Sequence, residues 1–156
     1  MNRFLFSVSA VLSLSLFAIA APAGAQDAPA AKSFGQLTYD ATQETTLNGT
    51  VSELLVLPTQ GMIAGPHLLL QTPAGIVDAS LGRHALRGPG ALSVEPGQRV
   101  SITGVMRTSA GKPVFLARSV TVNGITYTLR NEHGASLSPQ MRERLNEAAA
   151  QKGGLQ

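Results

Sequence analysis

The sequence contains no cysteine and no tryptophan. Without cysteine the protein forms no disulfide bond, and it lacks the residue that a lipid-anchored bacterial lipoprotein needs at its cleavage site. The aromatic residues after position 25 are Phe34, Tyr39, Phe115 and Tyr127. These are few rings for base stacking, and the basic residues are spread singly rather than gathered in the patch that is typical of nucleic-acid binders. The composition therefore disfavours a nucleic-acid partner.

Long apolar runs are also absent, except at the N-terminus. Arg3 supplies a positive charge, residues 5–20 form an apolar core, and Ala23-Gly24-Ala25 matches an A-x-A cleavage site. The alternative, a membrane anchor, is disfavoured because the run is short and Pro22 follows it. We predict a secretory signal peptide over residues 1–25. The remaining chain is then a bacterial periplasmic or secreted protein with no membrane span.

The clearest structural pattern is a hairpin between Leu92 and Val122. Pro96-Gly97 predicts a turn, and residues 99–104 then alternate between apolar or small residues and polar ones. This alternation is typical of a half-buried strand with Val100, Ile102 and Gly104 facing the core. A second turn at residues 109–112 leads into a return strand.

Arg118 interrupts the alternation of this return strand, because it falls on the same face as Val114, Leu116 and Val120. We therefore predict either a barrel mouth or a β-bulge near Ala117. In one interpretation a bulge turns Arg118 to solvent. In the other, Arg118 points inward and binds a ligand.

Further strands and a terminal helix follow from similar patterns. Asn123-Gly124 predicts a two-residue hairpin turn, and Ser138-Pro139 predicts the start of a helix with a weak apolar stripe at Met141, Leu145, Ala148 and Ala149. Strands are predicted at residues 45–57, 67–71, 76–81 and 125–130, besides the two hairpin strands. We divide the chain into a signal peptide (1–25), a flexible lead-in (26–43), a barrel (44–137) and a helical tail (138–156).

This order predicts an all-β protein, a small five- to six-stranded OB-fold-like barrel with a short C-terminal helix. Over residues 45–137 the motifs Gly49-Thr50-Val51, Pro66-His67, Ala85-Leu86-Arg87, Pro96-Gly97-Gln98-Arg99-Val100 and Ala117-Arg118-Ser119-Val120 resemble those of small secreted or periplasmic bacterial OB-fold-like domain proteins. Several of these have Asn-Pro-His where this chain has Gly65-Pro66-His67. The resemblance implies a binding or structural module, with no catalytic residues to carry over.

The candidate ligand-binding residues are basic side chains expected near a groove across strands two and three. Pro66 fixes the entry of strand two and aims the imidazole of His67. The full set is His67, Arg83, His84, Arg87 and Arg118. Copper binding by Met62, His67 and Met106 is an alternative, since imidazole and thioether ligands suit copper(I). The absence of His-x-His and Met-x-Met pairs disfavours it, and we predict no cofactor.

Hydrolase chemistry is disfavoured by the motifs. Residues 134–138 lack the final glycine of a G-x-S-x-G nucleophile elbow, and no H-E-x-x-H motif is present. Asp78 and Ser80 share a strand face by parity, which we interpret as a solvated face. The sequence therefore predicts a non-enzymatic protein.

Two functions remain open. The first is a binding or accessory module for an unknown small ligand. The second is a structural module that docks on an envelope protein through its tail, residues 138–156. Nucleic-acid binding, which an OB fold also supports, is disfavoured by the export signal.

Overall fold

The computed structural model describes residues 38–153 of the chain, and the side chains of residues 38–148. The predicted signal peptide, and the lead-in up to residue 37, lie outside the described residues. Six strands and one helix follow a short 3-10 helix, Ala41–Gln43. They are β1 (Thr45–Leu55), β2 (His67–Thr72), β3 (Gly75–Ser80), β4 (Arg99–Ser109), β5 (Lys112–Val122), β6 (Ile125–Thr128) and α1 (Pro139–Gly153). Within this range no helix combines the length and the apolar character needed to cross a membrane.

The strands form one sheet that closes on itself. The order is β3-β2-β1-β4-β5-β6, and a parallel pairing of β3 with β5 closes the first five strands into a barrel. All other neighbours are antiparallel. The predicted all-β fold, a small five- to six-stranded OB-fold-like barrel with a short C-terminal helix, is confirmed: five strands close the barrel and β6 is one extra strand.

The core lies inside the barrel. Val100, Ile102 and Gly104 are buried, as the alternation along β4 predicted. Fully buried side chains from the other strands complete the same cluster, among them Leu68, Leu70, Phe115 and Val120. Since apolar burial is the main favourable term in folding, this cluster stabilises the closed sheet.

Two glycines allow neighbouring strands to approach closely. A Cβ on Gly49 would collide with the main-chain oxygen of Gln71, and one on Gly104 would collide with that of Leu116. Glycine at these two positions therefore has a steric reason. At the β5–β6 turn, Asn123 and Gly124 both have positive φ, as the predicted hairpin turn requires.

The predicted bulge in β5 is present. Thr103 pairs with Ser119, and the next residue, Gly104, pairs with Ala117, so Arg118 is the extra residue. The bulge explains why Arg118 breaks the alternation of its strand.

Two strand ends differ from the prediction. β1 was expected to reach Leu57, but it ends at Leu55, and Val56 and Leu57 are 60% and 77% exposed. The pairing of β1 with β2 ends at Leu55. Val56 and Leu57 therefore lie in the loop that follows, although they continue the apolar run. β6 was expected to reach residue 130, but it ends at Thr128, and Arg130 is buried.

The helix α1 contacts the rest of the protein through an arginine. The guanidinium of Arg142 is buried and donates hydrogen bonds to the carbonyl oxygens of His84, Arg87, Pro89 and Leu137. Met141 and Leu145, from the predicted apolar stripe, are 43% and 47% exposed. The buried side chain of the helix is therefore polar, and Met141 and Leu145 are exposed.

Candidate functional site

His67 lies at the start of β2, with its ring on the side of the sheet opposite Leu68. The imidazole is fully buried and both of its nitrogens are hydrogen-bonded. Nδ1 is 2.6 Å from Oδ1 of Asp78 in β3, and Nε2 is 2.8 Å from the carbonyl oxygen of Ile63 in the β1–β2 loop. His67 therefore ties this loop to two strands, and neither nitrogen is open to a ligand in this structure.

The two hydrogen bonds favour the charged imidazolium. A carbonyl oxygen only accepts, so Nε2 must donate to Ile63. If Nδ1 also donates, to the Asp78 carboxylate, the ring carries both protons. Burial lowers the pKa of His67, but the hydrogen bonds to Asp78 and Ile63 and the charge of Asp78 outweigh it. The net pKa is raised above the ordinary value.

A second buried polar contact joins β3 to the segment after β6. Arg130 is 8% exposed and donates to the hydroxyl oxygen of Ser80 at 3.0 Å and to the carbonyl oxygen of Gly134 at 3.2 Å. The prediction that Asp78 and Ser80 lie on a solvated face is wrong. The loop carrying Ile63 and the 130–136 segment lie over this end of the sheet, so Asp78 bonds to His67 and Ser80 is buried.

Arg118 is neither free in solvent nor directed into the barrel. Its Nε and Nη2 donate to the two carboxylate oxygens of Glu44, at 2.5 and 2.7 Å. The Tyr39 hydroxyl donates to the same carboxylate at 2.6 Å. The Arg118 hydrogen bond lowers the pKa of Glu44, assisted by Tyr39 and opposed by burial. This network fastens residues 39–44 to β5, and Tyr39 packs on the apolar cluster of Val105, Val114 and Leu116.

The other predicted site residues lie in the connection between β3 and β4. Arg83 and Arg87 are exposed, and His84 is half-buried. Only the main-chain oxygens of His84 and Arg87 take part in the Arg142 contact. Among the described residues the one hydrogen bond between two of the five predicted site residues is a main-chain turn bond, from the Arg87 N–H to the His84 carbonyl oxygen, and no side-chain hydrogen bond joins any two of them. Their joint role in ligand binding stays a prediction.

The residues considered for copper binding have separate surroundings. The Met62 sulfur accepts hydrogen bonds from Thr59, and Met106 is 46% exposed on β4. Both nitrogens of His67 are used within the chain. Within residues 38–153, no three His, Asp or Glu side chains gather as metal ligands would.

The outer side of β1, β4, β5 and β6 carries a continuous set of polar side chains, which we call the hydroxyl face. Strand pairing aligns them in rows, and none of them is buried. One row is Thr46, Thr103, Ser119 and Thr128; the second is Asn48, Ser101, Thr121 and Thr126; the third is Gln71 from β2, Thr50 and Arg99. Adjacent strands lie about 4.8 Å apart, so each row presents closely spaced hydrogen-bonding groups.

An open groove of about 690 Å³ lies over the second and third rows of this face. The turn after β2, at Thr72 and Pro73, and the turn after β5, at Asn123 and Gly124, contribute to its lining. Arg99 is the charged side chain among the lining residues, and within the described residues it forms no ion pair. None of the five predicted site residues lines the groove.

The sequence contained part of the signal for this face. The polar positions of β4 and β6 alternate with apolar ones, which predicts that Arg99, Ser101 and Thr103 share a side. What joins them to Asn48, Thr50 and Thr121 is the register between strands that are distant in sequence. A single sequence does not specify that register, so the shared surface was missed.

The family described as the MamS/MamX magnetosome protein family matches residues 43–127, which is more than half of the chain. The match spans all six strands up to Tyr127. No curated protein and no solved structure matches the chain.

Proposed function

Because the chain belongs to the MamS/MamX magnetosome protein family, we propose that it is a non-enzymatic accessory protein of the bacterial envelope, associated with the magnetosome, that binds a polar ligand on its hydroxyl face. The expected signal peptide supports a periplasmic or secreted location. The site proposed here replaces the groove expected across strands two and three. It lies instead across the outer side of β1 and β4.

The groove beside Arg99 is the observation that carries the proposal. It is open, its lining side chains are mostly neutral hydrogen-bonding groups, and its guanidinium has no carboxylate partner among the described residues. Its volume falls within the range of about 300–1,000 Å³ that is typical of small-molecule sites.

The placement of the titratable groups favours binding over catalysis. A general acid or base must reach the reacting atoms. His67 is directed to Asp78 and Ile63, and Glu44 is directed to Arg118 and Tyr39. The residues that line the groove include no His, Asp or Glu. We therefore assign the groove a binding role.

Native mass spectrometry of the protein purified from its own periplasm tests this function. We expect the wild-type protein to carry an additional mass, which Arg99→Gln loses and Arg83→Gln keeps. Arg83 is the matched control, since it is also exposed but lies outside the groove. If Arg83→Gln alone lost the additional mass, the ligand would bind at the residues predicted from the sequence. A wild-type protein that carries no additional mass would contradict ligand binding.

A second function is favoured by the exposed apolar side chains of α1. Met141 and Leu145 face solvent while Arg142 holds the helix in place. Leu145 and Ile125 also line a small depression of about 200 Å³ between α1 and β6. This arrangement supports a structural module that docks on an envelope protein through its tail. A Met141→Ser, Leu145→Ser double variant that still folds should then lose its protein partner in crosslinking while keeping any groove ligand.

A further inference from the structure

We propose that the groove on the hydroxyl face binds a carboxylate-bearing saccharide. This inference rests on the proposed function, because it names the ligand class for the same site. It depends on three properties of the groove: the two-way hydrogen-bonding capacity of its side chains, the single positive charge, and the lack of aromatic and acidic groups among the lining residues.

The hydrogen-bonding groups match those of a sugar. A serine or threonine hydroxyl both donates and accepts, and the amides of Asn48 and Gln71 also present both roles. A sugar hydroxyl has the same dual character, so neighbouring hydroxyls along a ring can pair with neighbouring side chains in a row. Asn48 lies opposite Ser101, and Thr50 lies between Gln71 and Arg99.

The charge indicates a carboxylate on that sugar. Arg99 is exposed at the start of β4 and is the cation among the lining residues. A guanidinium binds a carboxylate through two parallel hydrogen bonds, which gives both energy and orientation. With no acidic side chain in the lining, an anionic ligand meets no repulsion there. One guanidinium among neutral hydrogen-bonding groups therefore suits a ligand that has many hydroxyl groups and few, widely spaced carboxylates.

Other ligand classes fit less well. Nucleic acids require several cations for the phosphates and aromatic rings for the bases, and the lining contains one arginine and no aromatic residue. A membrane surface requires a polybasic or apolar patch. An extended peptide that adds a strand requires a free strand edge, but the groove lies over β1 and β4, which are paired on both sides.

The shape of the site agrees with a chain-like ligand. The groove is open, and turns flank it at Pro73 and at Gly124. The polar rows continue toward Thr46, Thr103 and Thr128 outside the groove. A saccharide longer than the groove would therefore meet further hydroxyl groups along the face.

Isothermal titration calorimetry with three oligomers tests the ligand class: hexagalacturonate, which has hydroxyls and carboxylates; maltohexaose, which has hydroxyls alone; and hexaglutamate, which has carboxylates alone. We expect hexagalacturonate to bind at least about tenfold more tightly than the other two, since each lacks one set of partners. Arg99→Gln should weaken hexagalacturonate binding by at least about tenfold, and Asn48→Leu should weaken it as well. The control Arg144→Gln, at an exposed position on α1 outside the groove, should bind as the wild type does.

The outcomes separate this inference from the proposed function. Equal binding of hexaglutamate would show that charge alone is recognised, and equal binding of maltohexaose would show that Arg99 does not select a carboxylate; either overturns the inference. If none of the three binds, the inference fails. The proposed function survives that failure only if native mass spectrometry finds an Arg99-dependent ligand of another class. Circular dichroism of each variant verifies that it folds.

Discussion

Nδ1 of His67 lies 2.6 Å from Oδ1 of Asp78, and the imidazole that makes this contact is fully buried. The pair joins β2 to β3 on the outer side of the barrel, and the second ring nitrogen holds the carbonyl oxygen of Ile63. One side chain thus fixes the β1–β2 loop, which carries the exposed Val56 and Leu57. The protonation of this ring should therefore affect the stability of the fold.

The stability should fall as the pH rises through the pKa of His67. The folded-state pKa of His67 is raised above the ordinary value of 6.5. The stabilisation by the charged imidazolium is therefore fully present below about pH 6.5 and is lost as the pH rises through the raised pKa. Urea unfolding of the wild type from about pH 5 to about pH 9 should show this decline. His67→Gln should remove this pH dependence and lower the free energy of unfolding by about 3 kcal/mol at low pH. His133→Gln is the control, since His133 is exposed. A wild-type stability independent of pH in this range would contradict the assignment.

Glu44 should produce the opposite dependence at acid pH. Its folded-state pKa is lowered below the ordinary 4.5, chiefly by the hydrogen bond from Arg118. The stabilisation is therefore present above about pH 4.5 and is lost as the pH falls through the lowered pKa. Since the Arg118 side chain is 35% exposed, Glu44→Gln should cost only about 1 kcal/mol at neutral pH. Glu132→Gln, at a side chain that is 79% exposed, should leave acid unfolding unchanged. A similar effect of both substitutions would refute the specific role of Glu44.

Two isoleucines test the assignment of the strand faces. Ile102 is fully buried in β4, whereas Ile76 in β3 is 63% exposed. Ile102→Ala should lower the free energy of unfolding by about 2–5 kcal/mol, because it removes buried apolar contacts and leaves a cavity. Ile76→Ala should change it by less than about 0.5 kcal/mol. Urea denaturation measures both, and comparable losses would mean that the faces are assigned wrongly.

The fold could be read from the sequence because its signals are local. Alternation placed Val100 and Ile102 in the core, Asn123-Gly124 marked a hairpin turn, and the break at Arg118 marked a bulge. The failures occurred where the deciding contact is distant in sequence. Val56 and Leu57 are apolar but exposed, since the pairing with β2 ends at Leu55.

The candidate site was less predictable for the same reason. His67 was identified as a special residue, but its partners Ile63 and Asp78 become neighbours only when β2 and β3 pair and the preceding loop folds back. Arg118 binds Glu44, which is 74 positions away in sequence. The rows of the hydroxyl face require four strand registers at once. A periodicity shows on which side of its strand a residue lies, but it does not show which residue lies beside it.

The attachment of α1 provides the last test. Arg142 is 3% exposed and donates to four main-chain carbonyl oxygens, three of them in the β3–β4 connection. Arg142→Met should leave these buried oxygens without a donor, so the helix should detach while the barrel stays folded. Hydrogen exchange measured by mass spectrometry should then show faster exchange in residues 139–153 and unchanged protection in β4 and β5. Arg144→Met, an exposed position on the same helix, should exchange as the wild type does. Unchanged protection of α1 in Arg142→Met would mean that apolar contacts hold the helix. In that case Met141 and Leu145 would help to hold the helix on the barrel, and they would be a poor surface for docking on an envelope protein.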